Sequence, residues 1–153
     1  LGFGSADYVP FNNSGVTSVT GLLPAYSASW TGAISNPVIG NGSISSSWLR
    51  DGPRITASIK VTMGSTTTYG SGRWSFSLPV AEADGHPWIG ECLAYDSSAS
   101  AMYRGMVLVQ ANQSVVDVYV ADNDTLGADA THPFTFATSD VIYITITYAG
   151  ASH

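Results

Sequence analysis

Between Ile55 and Met63 every odd position is apolar (Ile55, Ala57, Ile59, Val61, Met63) and every even one is polar (Thr56, Ser58, Lys60, Thr62). A period of two marks a strand with one buried face, because successive side chains point to opposite sides of a sheet. The run stops at Gly64. After a Ser/Thr/Gly stretch the alternation resumes, with Trp74, Phe76 and Leu78 against Ser75 and Ser77, and Pro79 closes it. These two runs are expected to pair as a central β-hairpin joined by a polar connection. A two-stranded ribbon alone is marginal in water, so the rest of the chain must supply strands that cover it.

Further strand-like runs cover residues 26–31, 42–50, 88–95, 101–111, 115–121 and 141–148, with a brief one at 134–136. Ile44 and Trp48 share a face in the second of these. In 115–121, Val116, Val118 and Val120 oppose Asp117 and Tyr119. In 141–148, Ile142, Ile144, Ile146 and Tyr148 oppose Tyr143, Thr145 and Thr147. That second face is aromatic and β-branched rather than charged, and is suited to lie against another subunit. Asn112, Gln113 and Ser114 are few enough to turn a hairpin, and residues 122–133 form the longest loop. Residues 1–25 show no sustained period and are expected to form an extended arm or linker ahead of one domain at 26–153. About eight strands at short spacing, with no fixed repeat, imply an all-β antiparallel β-sandwich, jelly-roll-like.

Composition sharpens this picture. Two glutamates, Glu82 and Glu91, and one lysine, Lys60, leave few surface helix formers, so almost no helix is expected. The formal charge is −6, with all basic residues lying between Arg50 and Arg104. Without a basic patch the chain is a poor partner for nucleic acid, whose affinity comes mainly from phosphate neutralisation. No apolar stretch approaches the roughly 20 residues of a membrane helix. Cys92 is the single cysteine, which removes an intramolecular disulfide and a thiolate-rich metal site and makes it a small core residue.

Candidate chemistry is thin. Of three histidines, His86 and His132 each precede a proline and His153 is terminal, and no Gly-x-Ser-x-Gly elbow occurs. Glu82, Asp84, Glu91 and Asp96 are the candidate carboxylates for glycoside hydrolysis, and read more simply as loop and edge acids. Asp122, Asn123, Asp124 and Asp129 suggest an oxygen-rich cation loop, yet Leu126 and Pro133 break the calcium-hand pattern. Asn-x-Ser/Thr triplets begin at Asn12, Asn41, Asn112 and Asn123, as chance provides in so hydroxyl-rich a chain. By alternation Trp48 and Trp74 point into the core. Trp88, after a loop proline, and Tyr69, in the connection after Met63, are the candidate surface-binding aromatics. No catalytic residue, cofactor or metal site is expected.

Four stretches carry a resemblance. They are Trp30 to Gly32 with residues 37–42 (Pro-Val-Ile-Gly-Asn-Gly), the 63–72 loop leading into 74–79, residues 90–96, and residues 132–140 before the last strand. Together they resemble the C-terminal domain of minor tail and other virion-surface proteins of tailed bacteriophages, especially those of actinobacterial hosts, over roughly residues 28–150. Ser139 stands where that pattern has glycine, and residues 50–53 (Arg-Asp-Gly-Pro) make an unusual turn. The resemblance implies a non-enzymatic β-sandwich on a virion surface, homotrimeric, in contact with other virion proteins. It carries over no catalytic residue. As a tail domain the chain would attach to a host-surface glycan or protein through loops such as 64–72 or 122–133. As a capsid decoration protein it would grip the shell through the arm at 1–25. A free carbohydrate-binding adhesin is the third alternative.

Overall fold

The computed structural model describes residues 25–120 and 127–151. Among these residues eight strands form: β1 (Trp30–Gly32), β2 (Ser43–Asp51), β3 (Arg54–Thr62), β4 (Trp74–Ser77), β5 (Trp88–Asp96), β6 (Ala101–Val109), β7 (Val115–Val120) and β8 (Val141–Ala149). No helix occurs among the described residues. All neighbours pair antiparallel, in the spatial order β1-β4-β7-β6-β5-β8-β3-β2. The all-β antiparallel class therefore holds. The expected division into two facing sheets does not appear in this pairing, because all eight strands belong to one ladder.

The expected central hairpin is corrected. β3 lies between β2 and β8, and β4 lies between β1 and β7, on the far side of the sheet. The connection after β3 leaves the ladder at once, since the Met63 N–H bonds to the Asp140 carbonyl, and it re-enters where the Trp74 N–H bonds to the Ala128 carbonyl. The hairpin around residues 112–114 does form, as β6–β7. Residues 134–136 make no strand: the Phe134 and Phe136 rings meet tilted at 4.3 Å, and the Phe136 N–H reaches the Ala130 carbonyl.

One face of the sheet is dry. Cross-strand register puts Ile59, Ile144, Cys92 and Gly105 in one row and Val61, Ile142 and Ala94 in the next. Trp30 meets Trp74 edge-on at 4.9 Å and Phe76 face-on at 6.1 Å. With no second layer among the described residues to cover it, such a face excludes water by curling around its own side chains, and the sheet is a half-barrel. Each of these large side chains contributes about 1.5–3 kcal/mol by leaving water. The two edges meet through side chains: Ser46 on edge strand β2 donates to the Tyr26 carbonyl and accepts from the Ala28 N–H, both at 3.0 Å, just ahead of the opposite edge strand β1. Trp48 and Trp74 point inward as expected, the former half-buried and the latter fully buried.

Two sequence oddities acquire reasons. Gly52 (φ 58°) and Pro53 form the two-residue turn between Asp51 and Arg54, with glycine at the first central position, where a positive φ is needed. Ser139 has φ 73°, the left-handed conformation for which glycine is the ordinary residue.

The fold also has polarity. Tyr26 Oη donates to the Ser77 carbonyl, and the Ala151 carbonyl accepts from Arg50 Nη2. Both termini of the described chain therefore sit at the end holding the β2–β3 and β6–β7 turns. The opposite end carries the loops at 33–42, 63–73, 97–100 and 127–140. The proposed arm at 1–25 lies, except for residue 25, outside the described residues, as do Asp122, Asn123, Asp124 and His153.

Candidate functional site

At the loop end two irregular segments are zipped together. Val38 and Thr68 exchange backbone hydrogen bonds of 2.8 and 2.9 Å, and the Ser35 and Ser71 hydroxyls meet at 2.8 Å. Asn41 is the clasp: its Oδ1 accepts from the Thr66 N–H (2.9 Å) and hydroxyl (3.0 Å), while Nδ2 donates to Ser65 Oγ (2.9 Å). Thr67 closes the base, donating to the Ile39 carbonyl at 2.6 Å and accepting from the Gly64 N–H. A methyl group at Gly70 (φ 60°) would stand 2.3 Å from the Ser35 carbonyl oxygen, so glycine is what lets the segments touch. Ile34 and Val38 project from this ribbon, 81% and 61% exposed, among hydroxyls and without charge. The result is an apolar-tipped surface held by hydrogen bonds between its two segments.

Tyr69 belongs to this end but is more brace than tip. Its ring packs on Trp74 (6.4 Å) and Phe136 (6.5 Å), and its carbonyl accepts from Trp74 Nε1 at 3.0 Å. Burial, then the Asp140 charge, raises its phenol pKa. Trp88 lies at the opposite end of the sheet, where its ring stacks on His86 at 4.9 Å and its Nε1 donates to Glu82 Oε1 at 3.3 Å. The two aromatics do not share a site.

The candidate carboxylates are scattered as well. Glu82, 3% exposed, accepts from the backbone N–H groups of Asp84 (2.6 Å), Gly85 (3.1 Å) and Asn112 (2.6 Å) besides Trp88. Burial by itself would raise its pKa, but these donors outweigh it and hold the carboxyl below its ordinary value. Glu82 thus pins the β4–β5 loop to the β6–β7 turn. Asp84 faces His86 at 3.5 Å, Glu91 stands on the outer sheet face, and Asp96 caps the turn into β6, its pKa lowered first by the Ser98 hydroxyl. Asp129 is tied to Thr131 and His132, with His132 Nδ1 at 3.1 Å and a cis peptide bond before Pro133. Among the described residues no group of three His, Cys, Asp or Glu side chains is placed to hold a metal ion.

Asn41 is not legible as an organiser in sequence because Ser65 and Thr66 lie 24 and 25 residues on, and Glu82 because the Asn112 N–H that completes its set lies 30 residues on. The Asn-x-Ser triplet at Asn41 and the buried-acid pattern before Trp88 carry no local mark of that role.

The described residues thus form a single-sheet β fold whose loop end presents the Ile34/Val38 ribbon to solvent. The chain is similar to the Mu-like prophage FluMu defective tail fiber protein of Haemophilus influenzae, with 28% identity over 141 residues, 92% of this chain. It spans 22% of that relative's length. No family model matches the chain, and no solved structure matches it.

Proposed function

We propose that this chain is a non-enzymatic, tail-associated attachment domain of a phage-like particle. It is displayed on the virion surface as a homotrimer, joined to other virion proteins on the side of residues 25 and 151, and turns its loop end toward a host-surface glycan. The observation that carries the reading is the similarity along nearly the whole chain to a prophage tail fiber protein. The polarity of the fold supports it: both ends of the described chain leave at one pole, so the Ile34/Val38 ribbon is free at the other. A preorganised surface of hydroxyls and small apolar tips suits a sugar-rich, water-covered target. The decisive experiment is competition. Host cells pre-incubated with the purified chain should adsorb fewer particles, in a saturable manner. Unchanged adsorption with no cell-bound chain rules the reading out.

A further inference from the structure

The outer face of the sheet across β6, β5 and β8 is unlike a solvated face, and the neighbouring β3 borders it with Arg54, Ser58 and Lys60. Ile89 and Met102 are each 69% exposed and Met106 52%. Leu93 and Tyr143 sit opposite each other on β5 and β8. Two charges stand among these apolar groups: Glu91 opposite Met106, and Arg104 opposite Leu93. Neither makes an ion pair or hydrogen bond with a described residue. Between them lies a hollow of about 400 Å³, lined by Glu91, Leu93, Arg104, Tyr143 and Thr145.

One surface thus carries an unpaired acid, an unpaired base, projecting thioether and alkyl groups, and an open hollow. An anionic membrane is a poor match for a chain of charge −6. A sugar in the hollow would leave Ile89 and Met102 in water. A second copy of the same surface supplies every complement at once: a base for Glu91, an acid for Arg104, and a methionine for the hollow. The area is adequate too. With the polar margin of β3 included, four strands about 4.8 Å apart and about 30 Å long give roughly 550 Å² per copy, or roughly 1,100 Å² for a pair. A specific interface needs about 1,000 Å².

We infer that this outer face is where copies of this chain meet, with Glu91 of one copy against Arg104 of the next and Met106 entering the neighbouring hollow. The expected number of copies rests on the trimer reading above; the location of the contact does not.

The test measures the mass of the full 153-residue chain by light scattering at micromolar concentration, with circular dichroism and a melting curve as fold checks. The wild-type chain is expected at twice 16.0 kDa where two faces close on each other, and at three times where each face is shared between two neighbours. Met106→Asp, Glu91→Arg alone and Arg104→Glu alone should each weaken association at least tenfold, and the combined E91R/R104E swap should restore it. Recovery in the double variant excludes misfolding as the cause of loss in the single ones. A dimer that responds to these changes upholds the face and removes the trimer. A trimer indifferent to all of them upholds the trimer and overturns the face. A wild-type monomer, or single-variant losses that the swap does not recover, overturns the inference.

Discussion

Replacing Glu82 with glutamine tests whether a buried carboxylate, rather than the strands alone, fixes the lower loops. In the native protein its two oxygens face four donors at 2.6–3.3 Å. Glutamine keeps the shape but offers one acceptor oxygen, and turns an NH₂ group toward backbone N–H donors such as those of Asp84 or Asn112. A hydrogen bond to a charged group is worth about 1.5–3 kcal/mol, and a buried donor left unsatisfied costs about 1–3 kcal/mol. One lost bond and one orphaned donor together predict a loss of about 2–4 kcal/mol, partly relieved by water entering the loop. The sign of the pH dependence follows from the same contacts. The folded carboxyl titrates below its ordinary value of 4.5, so its contribution is complete above that pH and is lost as pH falls through the lower, folded value. Urea unfolding of wild type and E82Q should therefore differ by the full amount at pH 7, and the gap should narrow as pH falls below 4.5 and through the lower, folded value. Equal stability at pH 7, or a gap that widens in acid, would refute the reasoning.

Three other predictions follow from single sites. Ser139→Gly relieves a left-handed serine and should stabilise the fold by about 0.5–1 kcal/mol, read as a rise in Tm of about 1–4 °C. Cys92 should resist thiol reagents at pH 8 in the folded chain and react on unfolding, because burial pushes its thiol up to about 12. Ile34→Asp with Val38→Asp should leave Tm within about 1 °C, since both side chains are exposed, while reducing the competition with particle adsorption severalfold.

What the chain reveals before folding is its local periodicity. The runs at 55–63, 115–121 and 141–148 became β3, β7 and β8 within a residue or two, because one buried face enforces a period of two. Partner choice was not legible. Alternation tells a strand which side is wet but not which neighbour it pairs with, and so β3 and β4 were joined on sequence and separated in space. β6 hid its faces for another reason: Met102, Met106 and Leu108 on one side are as apolar as Val107 and Val109 on the other. Only the register exposed the outer patch. Tyr69 and Trp88 were singled out as free aromatics because their loops looked polar, yet each is held by partners distant in sequence or by a buried acid. The likeness to a tail fiber protein agrees with the phage-tail side of the family resemblance and does not reach its finer actinobacteriophage form.

Immunogold labelling of purified particles that carry this chain, with antibody against the folded domain, tests the central claim most directly. Gold clustered at the distal end of the tail is the predicted result. Gold over the head, or particles without label, would contradict it.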